Sequence, residues 1–239
     1  MRLTFEGVFA EARALWEAEG DTLLRVAGFF GFLPLLAAGL FMAPLPANAS
    51  DAQAGLWLVD TMLPWLFGTS VICTYASLAL LLLLLDPGPS TGGRLLVRAL
   101  ALLPFAILAM VVVNVLVWIG LLLIVPGLYV SGRAFLTLPT LAAGPSRNPL
   151  QAIADAINRS TGNGWFLALI GLMPLLASYL GMAVLRELLG MFGESSDAIQ
   201  AIVALLAASL GTAALIATAL LQVAAYRLLS PKQGPRQGM

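Results

Sequence analysis

The side chain with the most chemistry to account for is Arg133, about ten residues short of the end of a long apolar run. Charged groups at membrane depth are costly and usually serve a function. Just ahead of it stands Val125-Pro126-Gly127-Leu128-Tyr129. Pro126 removes a backbone hydrogen bond and Gly127 loosens the helix, so a kink or break is expected there. A guanidinium just beyond a break can hold a lipid phosphate or a partner carboxylate. It can equally snorkel to the interface and only anchor its helix. Pro126, Gly127, Tyr129 and Arg133 therefore form the candidate site, for lipid phosphate or as a helix break.

Other polar residues in apolar segments suit structure better than chemistry. Asn114, the pairs Thr69-Ser70 and Thr74-Tyr75, and Gln222 are placed to hydrogen-bond between helices, bonds that contribute under about 2 kcal/mol each. Acidic residues are not paired at depth, and Asp60 falls near the outer interface, so a proton or cation relay has no carrier. The chain has no histidine and a single cysteine, Cys73. That excludes an internal disulfide, a Cys/His zinc cluster and histidine acid–base catalysis. Neither a Gly-x-Ser-x-Gly elbow nor a phosphate loop with its lysine occurs. No catalytic residue, metal or cofactor is expected. Zero net charge points away from nucleic acid.

The elements that must position these residues follow from composition. The 239 residues are 60% hydrophobic and 10% charged, where soluble domains carry about a quarter charged residues. Lipid can solvate that much apolar surface and a single soluble core cannot. The expected fold is all-α, a polytopic transmembrane bundle of six spans in one domain. The spans cover 23–45, 56–85, 95–117, 120–143, 165–189 and 198–229. Asp86-Pro87-Gly88-Pro89 stops the second. The stretch 95–143 would rise about 73 Å as one helix, over twice a bilayer core, so it is split near Trp118-Ile119-Gly120. Residues 230–239 form a flexible tail.

Short cytoplasmic amphipathic helices accompany the spans. Phe5, Val8, Phe9, Ala12 and Trp16 make one stripe of a surface helix over 5–19. A second starts at Asn148 as N-cap with Pro149 at its first position. It sets Leu150, Ile153 and Ile157 opposite Gln151, Asp155 and Arg159, and ends at Gly162 and Gly164. Ser90 is placed to cap a shorter counterpart carrying Arg94 and Arg98. The chain can thus be read as three copies of a surface helix and two spans, with Pro34, Pro104 and Pro174 at equal intervals. Ala47-Asn48-Ala49 has the form of a signal cleavage site, but the acidic segment ahead of it argues against one.

With six spans, every basic residue except Arg186 falls on one side. The positive-inside rule then makes both termini cytoplasmic. One lysine, Lys232, against eleven arginines suits a GC-rich bacterial genome, and the expected location is the bacterial inner membrane.

The segment Ile124-Val125-Pro126-Gly127-Leu128-Tyr129, with Arg133, Pro139, Pro149-Leu150-Gln151-Ala152 and Arg159-Ser160-Thr161-Gly162-Asn163-Gly164-Trp165, resembles a family of uncharacterised bacterial inner-membrane proteins. That family is related to the membrane domain of some glycerophosphodiester phosphodiesterases. The resemblance covers about 40 residues and does not extend to the catalytic phosphodiesterase domain, so that activity is not carried over. It implies a helical bundle associated with lipid or envelope processes. The expected role is non-enzymatic, scaffolding or modulating such processes, with membrane lipids and other inner-membrane proteins as partners. The alternative is a small transporter or channel with its site near Pro126-Gly127.

An alkaline phosphatase fused at Gly234 is expected to be inactive, because that enzyme folds only outside the cytoplasm. An active fusion would put the C-terminus outside and break the six-span reading.

Overall fold

The computed structural model describes residues 2–42, 48–85, 92–144, 147–190 and 197–230. The Asp86–Pro89 stop, the Ser90 cap, Ala47, Glu194 and the tail from residue 231 onward lie outside the described residues, as does the side chain of Arg186. Every regular element among the described residues is a helix, with no strand. The helices are α1 (Phe5–Ala27), α2 (Leu33–Phe41), α3 (Asp51–Trp57), α4 (Leu63–Leu85), α5 (Gly92–Leu121), α6 (Val125–Ala134), α7 (Thr137–Ala143), α8 (Pro149–Arg159), α9 (Gly164–Gly190) and α10 (Asp197–Leu229).

Five stretches are long and apolar enough to cross a membrane: Phe5–Phe41, Asp51–Leu85, Gly92–Leu121, Gly164–Leu185 and Ala198–Leu229. The sixth expected span, 120–143, is not one helix. It is divided into α6 and α7, of ten and seven residues, which rise about 15 and 10 Å, each short of a 30 Å core. The expected turn at Trp118-Ile119-Gly120 falls slightly later, at Leu122–Ile124.

A second difference lies at the N-terminus. The surface helix expected over 5–19 is not separate from the first span, because α1 runs unbroken into it. Gly20 is the only weak point, and a helical glycine costs only about 1 kcal/mol. The Trp16 ring covers it, 3.4 Å from where a Cβ would stand. Val8, Ala12 and Leu15 of the expected stripe region are buried, while Phe5, Phe9 and Trp16 stay exposed at its edge.

Two rods are joined by π-helical turns, Gly28–Phe32 before α2 and Leu58–Met62 before α4. Each is followed by Leu-Pro, Leu33-Pro34 and Leu63-Pro64. A proline has no N–H to give and its ring crowds the carbonyl four residues back. Widening the turn moves that carbonyl aside, and the preceding leucine then bonds five residues back, Leu33 to Gly28 and Leu63 to Leu58. Pro104 and Pro174 sit inside plain α-helix, so the three evenly spaced prolines do not share one local structure.

Packing is concentrated at one end of the bundle. The leucine run of α4, from Leu78 through Leu82, is almost wholly buried, as are Ala219 to Ala225 of α10. At the other end Phe41, Phe67 and Tyr179 are exposed, as lipid-facing side chains are in a membrane protein. Arg227 of α10 pairs with Glu11 of α1 at 3.2 Å, so the first turns of α1 and the last turn of α10 lie together. Small residues close the gaps between helices: a Cβ on Gly39 would come within 2.9 Å of the Ala204 Cβ.

The entry to α6 is strained. Ile124 has φ 55 and ψ −64, and Val125 N donates to Leu123 O at 2.6 Å. This is a γ-turn of the kind unfavourable for a β-branched residue. Ile124 is 71% exposed and packs on little. Ile124→Gly is expected to raise stability by about 1 kcal/mol, read as a higher midpoint of thermal unfolding in detergent. A lower midpoint would mean the turn carries no such strain.

Candidate functional site

The four sequence-predicted residues all lie on α6, whose first turn carries Pro126, where a missing N–H costs nothing. Gly127 is buried against Gly120 and Leu121, and a Cβ on it would come within 2.5 Å of the Leu121 nitrogen. The break is thus a close backbone-to-backbone contact with no space in it. Tyr129 and Arg133, four apart, share the opposite face. That face meets Gly164 at the start of α9, where a Cβ would come within 2.9 Å of both side chains.

Arg133 gives its N–H groups to neutral oxygens of the chain. Nε donates to Ser160 Oγ at 2.9 Å and to the Ile157 carbonyl at 3.2 Å. One terminal nitrogen reaches Ile157 O at 2.6 Å and Thr161 Oγ1 at 3.2 Å, and the other reaches Tyr129 Oη at 2.9 Å. Ile157 and Ser160 belong to the last turn and cap of α8. A cation over those free carbonyls satisfies them and meets the negative end of the helix dipole. Ser160, fully buried, in turn donates to the Arg133 carbonyl at 3.1 Å. No carboxylate pairs with Arg133 among the described residues. The arginine therefore clamps α6 to the end of α8.

Around the clamp lies an open groove of about 780 Å³. Arg2, Pro126, Tyr129, Asn163, Trp165 and Phe166 are among its walls, and no acidic side chain is. The Tyr129 and Trp165 rings stand 5.5 Å apart. Asn163 Oδ1 accepts the Leu3 N–H at 2.9 Å and ties the N-terminal segment to the α8–α9 turn. Gly162, at φ 80, makes that turn. The predicted cap of α8 is present, with Asn148 Oδ1 accepting Leu150 N at 3.0 Å. Its buried face, however, is Ala152, Ile153 and Ala156, with Leu150 exposed.

The other predicted polar residues divide. Thr69 and Thr74 bond carbonyls four back in their own helix and reach no neighbour. Tyr75 does cross, donating to Leu96 O at 3.2 Å. Gln222 crosses to the Phe135 carbonyl at 3.0 Å. Pro139 stands four residues after Phe135 and has no N–H for it, so Gln222 supplies the missing donor. Asn114 is exposed and makes no hydrogen bond with the described residues.

Two further arginines were visible in the sequence only as markers of orientation. Arg98 donates to Ala142 O at 3.1 Å, at the end of α7. Arg227 donates to Leu84 O at 2.6 Å, at the end of α4. Both repeat the Arg133 device. The signal available was an arginine near a helix end, which does not name the partner.

Arg133→Ala is expected to lower stability by about 2–4 kcal/mol. Arg133→Lys should recover less than half of that, since an ammonium cannot span the α8 end and Tyr129 together. Gln222→Leu, which orphans the Phe135 carbonyl, should cost about 1–3 kcal/mol. Thermal unfolding in detergent measures all three, and an Arg133→Lys protein as stable as the parent would rule out the clamp.

Compared with known proteins, the chain matches no family model, no curated protein and no solved structure.

Proposed function

We propose that this membrane protein is a non-catalytic component of a bacterial inner membrane, which scaffolds or modulates lipid or envelope processes by holding an anionic phospholipid in the groove beside α6. The observation that carries this is the make-up of the groove. Arg2 lines it, exposed and without a partner among the described residues. Tyr129 and Trp165, the latter 50% exposed, flank it as interfacial aromatics do. Exposed Leu122, Leu123 and Ile124 lead away from it, a surface suited to acyl chains. A phosphate at Arg2 with its chains along this turn satisfies both.

The lipid contact thus falls to Arg2, while Arg133 supports the walls from behind. The resemblance to inner-membrane proteins related to a glycerophosphodiester phosphodiesterase domain favours the same class of role. A pathway through the Pro126-Gly127 break is less well supported, because Gly127 is packed against Gly120 and Leu121. The ion pair between Glu11 and Arg227 favours both ends of the chain on one side. By the positive-inside rule that side is the cytoplasm. The start of α6 shares the groove with Arg2 and Trp165, so α6–α7 begins and ends on that same side. Other inner-membrane proteins remain the partners this reading calls for.

Native mass spectrometry of the protein with phosphatidylglycerol is the test. One lipid per chain should be retained, and Arg2→Gln should lower its occupancy about tenfold without changing the thermal midpoint. Equal retention by parent and variant would overturn the assignment of the groove.

A further inference from the structure

A second cavity, separate from the groove, lies among α5, α6, α7, α9 and α10. It holds about 290 Å³, where a single water needs only about 10–15 Å³. Most of its wall is apolar, from Met110, Phe135, Leu138, Leu167 and Leu172. No charged side chain lines it. α5 and α9 each pack along α6 but not extensively on each other. The space between them therefore opens sideways, past exposed Leu175 and Asn114.

Three polar groups in this wall have hydrogen-bonding capacity that the described chain does not use. Thr137 is 1% exposed, and its Oγ1 is a buried side-chain oxygen with no partner. The reason is local. Thr140, Thr212 and Thr218 each bond the carbonyl four residues back. Thr137 opens α7 just after the Phe135–Leu136 break, so the residue four back, Arg133, belongs to α6 and not to its own helix. Gln222 spends its amide nitrogen on Phe135 O and leaves its Oε1 free. Asn114 brings a whole unpartnered carboxamide to the mouth. Unpaired polar groups facing lipid are costly.

We propose that this cavity binds the head of an uncharged lipid carrying hydroxyl and ester groups, an acylglycerol, with its chain leaving between α5 and α9. A hydroxyl of the head donates to Gln222 Oε1, and its ester carbonyl accepts from the Asn114 amide. Charge is excluded, because nothing in the wall compensates it. The site is independent of the phospholipid groove.

Photolabelling in nanodiscs with a monoacylglycerol carrying a diazirine near its ester tests this. Label should map to residues 110–117 and 131–138 and be competed by unlabelled monoacylglycerol. Phosphatidylglycerol with the same diazirine chain should not label those segments. Asn114→Leu should lower the labelling about two- to tenfold. Asn114 is exposed, so this variant should fold as the parent does. Arg2→Gln should leave this labelling unchanged, so failure here and failure of the groove are separate results. Label spread evenly over the lipid-facing helices, or labelling indifferent to Asn114→Leu, would overturn the proposal and leave the cavity to water. An Asn114→Leu protein that changes oligomeric state but not labelling would overturn it in favour of a contact between copies.

Discussion

A helix that ends inside an apolar bundle leaves its last carbonyls without donors, and lipid has none to offer. This constraint organises the polar residues of the protein. Arg98 closes the end of α7, Arg133 that of α8 and Arg227 that of α4. In each case a guanidinium from another helix brings several donors in a rigid fork to main-chain oxygens, which a lysine could do less well. The preference for arginine over lysine thus has a structural use here beyond marking orientation. The same three bonds cross between helices, so capping and bundle assembly are one interaction.

Much of the architecture was legible because hydropathy and length act locally. The helices over 92–121, 164–190 and 197–229 fall close to the spans read from apolar runs, since only a helix satisfies its backbone in lipid. Asn148-Pro149 announced α8 because a cap and a first-turn proline are local chemistry. The failures came where tertiary contacts decide. Nothing near Gly20 shows that the Trp16 ring will cover it and carry α1 straight into the first span. Hydropathy likewise cannot see that 125–143 is two short helices. Its composition is apolar enough for a span, and the second break, at Phe135–Leu136, has no proline or glycine in it.

The candidate site was half legible. Pro126, Gly127, Tyr129 and Arg133 were read as a break within one long span, 120–143, whereas Pro126 falls in the first turn of the short α6 and Tyr129 and Arg133 share one face of it. What the spacing withheld was the partner. The oxygens that Arg133 holds lie 24 to 28 residues further on, and only the close meeting of Gly132 and Gly164 brings them within reach. The same applies to Gln222, whose bond to Phe135 joins residues 87 apart. Reading the prolines as lost donors and asking which side chain replaces each would have pointed to it.

The chain meets its prolines in different ways, and the differences set where unsatisfied groups remain. Before Pro34 and Pro64 a π turn shifts the bonding by one residue. At Pro139 the helix is short and hemmed in by α4, α5, α8 and α10, so a widened turn has no room and Gln222 repairs the loss from outside. The break at Phe135–Leu136 that goes with this repair also sets the place of Thr137. Thr137 opens α7, so the residue four back belongs to α6 and not to its own helix, whereas Thr140, three residues on, bonds back to Leu136 O in the ordinary way. Thr137 Oγ1 is therefore left without a partner at the one position of α7 that has no helical turn behind it, and it is sealed there by packing.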